Sequence, residues 1–234
     1  MKILLLIISA FHLVVSCHGF IATTTTRRHY ANRRMTLQMS LKPAAIPLMD
    51  AGKALARSGE LLVDSTNKEP LNNYGGGLSA AGAMIRNAGD CIAQAAASCR
   101  FKTGTELVTD ELREAATCLE EATSKLRLAV EEANADEDER LALTIESAVT
   151  PARNAHFALE AAGAGIMQRL PLSEIGGKLV ECGDNFELLS QRLEPIAPEC
   201  SGRMVFGSEK MKEAGNNLAG VQKEKPKGKA WLKA

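Results

Sequence analysis

The chain has 234 residues, 45% of them hydrophobic but only 4% aromatic, and 28 Lys+Arg balance 28 Asp+Glu. A core built from that composition is aliphatic and alanine-rich, which suits helices better than strands. The neutrality hides an uneven spread: no acid precedes Asp50, the last thirteen residues carry five lysines against Glu224, and the acidic stretch between disfavours nucleic acid as a partner.

Residues 1–19 hold Lys2, the apolar run ILLLIISAFHLVV and a small-residue close at Ser16, Cys17 and Gly19. That is the pattern of a signal peptide, too short to span a bilayer and remain there. Phe20 follows at once, and residues 20–39 are rich in Thr and Arg and free of acid, which is transit-peptide composition. Gly19 and Phe20 followed by a basic hydroxylated stretch ending Leu37-Gln38-Met39-Ser40 resemble the bipartite plastid presequence of algae with secondary red plastids, such as diatoms. The resemblance implies passage of the outermost membrane by the signal peptide, then plastid import led by the Phe. It concerns address and not activity. No second apolar signal follows Arg33-Arg34, since Lys42, Asp50 and Lys53 interrupt it, so the expected address is the stroma or the stromal face of the thylakoid. A secreted or vacuolar protein with a basic arm is the alternative.

The remaining chain, residues 44–221, reads as one helical bundle domain followed by a basic flexible tail, 222–234. Helix one is predicted over Ala44 to Asp64, a loop over Ser65 to Gly77, and helix two from there to Arg100. Helix three is predicted from Thr109 to Asn134. The run Asp136 to Glu139 reads as a solvated connector or the next helix start. Helix four continues to Arg169, with Pro151 kinking it or opening a fresh segment capped by Thr150. Pro171 suits the first turn of helix five, which ends before Pro195, and helix six covers Gly202 to Val221.

One pattern runs through all of these. Leu78, Gly82, Ile85, Gly89 and Ile92 alternate a large apolar residue with a small one on a seven-residue repeat. The same alternation recurs around Gly52 and Gly59, Ala116, Gly163, Gly176 and Gly183, and Gly215. Eight helical glycines in these registers forfeit on the order of 8 kcal/mol relative to alanine. Close approach of neighbouring helices is the expected compensation, which makes the nine positions a packing seam. Lys53, Arg57 and Glu60 exclude a lipid-buried version of the same motif. A groove lined by these glycines and holding a flat pigment or lipid is the functional alternative. The expected fold is all-α, an antiparallel bundle of about six helices with Gly/Ala seams; a short α-solenoid is the alternative.

Chemical groups are sparse. His12, His18 and His29 lie in the presequence, leaving His156, so zinc sites, histidine-bridged di-iron centres and His-dependent triads are hard to assemble. Cys91, Cys99, Cys118, Cys182 and Cys200 include no CxxC; they read as free thiols, with Cys182 and Cys200 as a candidate redox pair. Gly75-Gly76-Gly77 lacks the Gly-Lys-Ser/Thr ending of a phosphate loop and reads as flexible. Lys223, Lys225, Lys227, Lys229 and Lys233 with Trp231 form a candidate docking tail for an anionic lipid surface or acidic protein face. The sequence thus points to a non-catalytic plastid protein needing no metal or cofactor and not transmembrane in mature form. It would bind an unidentified protein partner as a scaffold at a photosynthetic membrane complex, or else carry a small hydrophobic ligand or pigment.

Overall fold

The computed structural model describes residues 40–69, 71, 75–100 and 104–220. A short 3-10 turn, Lys42–Ala44, leads into six helices: α1 Ala45–Ser65, α2 Gly75–Ser98, α3 Thr105–Ala135, α4 Glu139–Met167, α5 Leu172–Leu193 and α6 Pro198–Leu218. The described residues form no strand. Each helix packs on the one before it and the one after it, and α6 returns onto α1. The bundle is therefore a closed six-helix ring of three consecutive hairpins, where a solenoid would leave its first and last helices apart.

The ring follows from the repeat. The large residue of each heptad is buried, as at Leu48, Leu55 and Leu62 on α1, Leu78, Ile85 and Ile92 on α2, and Leu112, Leu119 and Leu126 on α3. Three residues further on stands a buried small residue: Ala51 and Ser58, Ala81, Ala88 and Ala95, Ala115, Ala122 and Ala129, then Ala148, Ala155 and Ala162 on α4. One residue beyond that comes the predicted seam position. The first four helices thus present one large side chain followed by small ones, a wedge that lets neighbours close on both sides, while α5 places Ile175 and Leu189 at two of the small positions; the large residues fill one continuous core.

Helix ends depart from the predicted boundaries where backbone chemistry overrides the local pattern. The Gly75-Gly76-Gly77 run is the first turn of α2 and not a loop, because the Gly77 N–H donates to Glu132 Oε2 on α3 at 2.9 Å. A carboxylate at a helix N-terminus satisfies an otherwise orphaned donor and complements the helix dipole. α6 begins at Pro198 and not at Gly202, since proline fits the first turn. Asp138 caps α4, accepting from the Leu141 N–H at 3.0 Å, so the acidic run is both connector and helix start. Pro151 lies inside α4, which runs unbroken from Glu139 to Met167. The α3–α4 and α4–α5 turns each place a non-glycine residue in the left-handed region, Glu137 at φ 62° and Arg169 at φ 57°. In each turn the following N–H returns to the helix, Asp138 to Ala133 and Leu170 to Gly165.

Candidate functional site

The seam glycines of the first hairpin lie against each other in antiparallel register. A Cβ added at Gly52 would stand 2.5 Å from the Ala93 amide nitrogen and 2.6 Å from the Gly89 carbonyl oxygen. One at Gly59 would meet the Gly82 carbonyl oxygen at 2.5 Å, and one at Gly82 would return the contact at 2.9 Å from the Gly59 oxygen. The obstacles are backbone atoms that cannot swing aside. The third hairpin repeats the arrangement: Cβ atoms at Gly176 and Gly215 would each run into the other residue's carbonyl oxygen. Gly183 makes room for the Lys212 stem, with the Lys212 Cγ 2.5 Å from where a Cβ would be. Lys212 thereby crosses the seam to Glu187 and to Asp184, the latter at 3.3 Å.

The second hairpin is built differently. A Cβ at Gly163 would sit 3.4 Å from the Thr109 carbonyl oxygen, an ordinary contact distance. Seven residues earlier, His156 takes the register that glycine holds elsewhere, and its Nδ1 lies 2.9 Å from the carbonyl oxygen of Ala116 on α3. A carbonyl can only accept, so Nδ1 carries the proton. Nε2 stands 3.8 Å from Glu160, and the imidazole ring packs 4.7 Å, centroid to centroid, from Phe157. His156 is thus a clasp between α3 and α4, and Ala116 is its backbone partner.

Glycines outside the predicted seam also sit at helix contacts, Gly77 and Gly207 among them. Gly77 seats α2 on α3, with a Cβ there 2.5 Å from the Ala129 amide nitrogen. Gly207 receives Leu55, whose Cγ would be 3.1 Å from the added Cβ, where α6 closes on α1. Gly77 falls outside the large-small alternation, and Gly207 holds the small position three residues after Met204. Each marks an interface between hairpins.

All five described cysteines are free thiols. With Gly183 opposite Ser208, Cys200 falls opposite Gln191, about 13 Å along α5 from Cys182, too far for a disulfide. Burial raises both thiols, Cys200 to about 12, so neither is a poised nucleophile. Burial likewise raises the Cys91 and Cys118 thiols, Cys91 to about 12.

The outer surface is uneven. α3 turns outward a dense set of carboxylates that includes Glu106, Asp110, Glu111, Glu114, Glu120 and Glu121. Glu111 is raised above the ordinary carboxylate range, first by partial burial and then by Glu114 and Asp110. α4 turns outward Leu143, 65% exposed, Phe157, 52%, and Met167, 54%, with Thr150 midway between Leu143 and Phe157. The Arg153 guanidinium stands 6.0 Å from the Phe157 ring centre. An open groove of about 460 Å³ between α1 and α6 is lined by Arg57, Leu61, Pro198, Glu199, Gly202, Arg203 and Phe206. Arg57 is held by Glu60 at 2.7 Å, leaving the groove with mixed charge.

Among the described residues, no three His, Cys, Asp or Glu side chains converge on a metal position, and no helix is long and apolar enough to cross a membrane. The presequence, residues 1–39, and the docking tail with Lys223, Lys225, Lys227, Lys229, Trp231 and Lys233 lie outside the described residues. No protein-family model, curated protein or solved structure matches the chain.

Proposed function

We propose that this chain is a plastid protein without chemistry of its own, a binding or scaffold component attached to a photosynthetic membrane complex. The observation that carries the reading is where the apolar surface is used. The paired glycines of the first and third hairpins, which a flat ligand could have exploited, are taken up by the backbone of the facing helix, while α4 keeps Leu143, Phe157 and Met167 exposed. Leu143 and Phe157, two heptads apart on one face of α4, offer that surface to a partner. The presequence resemblance supports the plastid address, stroma or stromal thylakoid face, and the lysine-rich tail supports contact with an anionic surface.

The test is native-gel migration of the endogenous protein from gently solubilised plastids, with thylakoids washed at low and high salt. Co-migration with a large pigment complex, released at high salt, is the expected result. Leu143→Glu with Phe157→Glu should abolish co-migration and leave the helical circular dichroism unchanged. Migration as a small soluble species would remove the scaffold reading and favour a carrier.

A further inference from the structure

The outer side of α4 carries a second repeat. Leu143, Ser147, Thr150, Asn154, Phe157 and Ala161 follow one another at intervals of four and three residues, the spacing of a coiled-coil seam, and none is charged. Leu143, Thr150, Asn154 and Phe157 are exposed, on the side away from the buried stripe of Ile145, Ala152 and Leu159. Between Leu143 and Ala161 charge is confined to one edge of this seam, where Glu146, Arg153 and Glu160 stand seven residues apart. The other edge holds Thr144, Pro151 and Ala158. Glu160 lies beside His156, but among the described residues neither Glu146 nor Arg153 has an ion pair within the chain. We propose that the occupant of this face is a second copy of the chain, laid antiparallel so that α4 packs on α4 about a two-fold axis beside Thr150. The proposal rests on the reading of this face as a docking surface.

Orientation follows from the edges. In an antiparallel pair each edge of the seam meets its own counterpart running the other way. With the axis beside Thr150, Arg153 of each copy faces Glu146 of the other, which gives two ion pairs symmetric about the centre, as a self-complementary contact requires. The same register carries Leu143 of one copy onto the turn from Asn154 to Phe157 of the other, where the Arg153 guanidinium already lies over the Phe157 ring. A parallel pair would set the charged edge against Thr144, Pro151 and Ala158 and leave Glu146 and Arg153 unmatched. Sliding the antiparallel pair by one heptad either way would set Arg153 on Arg153 or Glu146 on Glu146. At the ends of the seam Glu160 comes level with Glu139 and Arg140 of the copy, one like charge and one opposite, so the central pairs decide the register.

Sedimentation velocity of the purified full chain over a range of concentrations tests this, with circular dichroism of each variant as the check on folding. The expected species has twice the 25.0 kDa chain mass. Arg153→Glu alone and Glu146→Arg alone each place two like-charged contacts at the centre. Each should raise the dissociation constant by about a hundredfold and leave the helical signal unchanged. An equimolar mixture of the two variants should recover the doubled mass, because every reversed charge then meets its opposite. A monomer at every concentration, a dimer indifferent to both reversals, or a mixture that stays monomeric overturns the proposal. The plastid native gel separates this failure from failure of the scaffold reading: a monomer that still co-migrates with the pigment complex leaves the α4 face to a different protein, whereas a dimer found only as a small soluble species removes the scaffold reading and keeps the pairing.

Discussion

The first and third hairpins differ from the second in how two antiparallel helices are held together. In the first and third, helices of 21 to 24 residues meet at paired glycines with backbone against backbone. In the second, helices of 31 and 29 residues meet without glycine pairing, and a histidine reaches across to the facing carbonyl. Short helices gain contact by approaching closely, at the cost of glycine's conformational freedom in the unfolded chain. Longer helices obtain it by adding turns of alanine contact, such as Ala115 and Ala122 on α3 and Ala148 and Ala155 on α4. One repeat accommodates both solutions because its small position fixes only where the helices meet, and not how near.

Substitutions that add volume at the seams should separate the two solutions. The largest effect is expected from Gly52→Ala with Gly89→Ala. Each new methyl drives into fixed backbone, and overpacking should outweigh the helix-propensity gain to leave a net loss of about 3 kcal/mol. Urea unfolding measures it. In the third hairpin, Gly215→Ala meets the Gly176 carbonyl and the Val180 side chain. A loss of about 2 kcal/mol is expected there, with an unchanged m-value showing that the native compactness survives.

His156→Ala in the second hairpin removes one hydrogen bond and the contact with Phe157 and should lower stability by about 1 kcal/mol. The same substitution with Phe157→Ala would show, by a double-mutant cycle, how much of that belongs to the ring pair. The smallest effect is electrostatic and lies on α1. The hydrogen bond from Arg57 holds the Glu60 carboxyl below its ordinary range, with Arg86 adding to it. A depressed folded-state value stabilises the fold above the ordinary carboxylate pKa, and the contribution is lost as the pH falls through the folded value. Glu60→Gln should therefore narrow slightly the drop in unfolding midpoint between pH 6 and pH 3. The pair is exposed, which keeps the change small.

Much of this architecture can be read from residue spacing. Leu78, Ile85 and Ile92 mark the buried stripe of α2, and Gly82 and Gly89 mark where α1 comes closest, because side-chain period and helix period coincide. What spacing within one helix does not carry is the pairing between helices. Gly77 acquires Ala129 through the register of α2 on α3, and Gly207 acquires Leu55 only when α6 closes on α1. Gly75-Gly76-Gly77 reads as a loop because glycine is a poor helix former, and the Glu132 carboxylate that completes the turn is 55 residues away in sequence. The outward row on α4 was present as Leu143 and Phe157 two heptads apart. The buried stripe beside it carries the same period, so only solvent exposure distinguishes the two.

That the seam glycines exist for helix contact is tested most directly by comparing Gly59→Ala with Gly163→Ala in urea denaturation at one pH. At Gly59 the methyl meets backbone of α2, and at Gly163 it finds ordinary contact distances. Gly59→Ala should destabilise by about 2 kcal/mol and Gly163→Ala should stabilise by about 0.5 kcal/mol through helix propensity alone. Opposite signs support seams closed by backbone contact. Stabilisation at both positions would mean that α1 and α2 stand far enough apart to leave room along the glycines, and would contradict it.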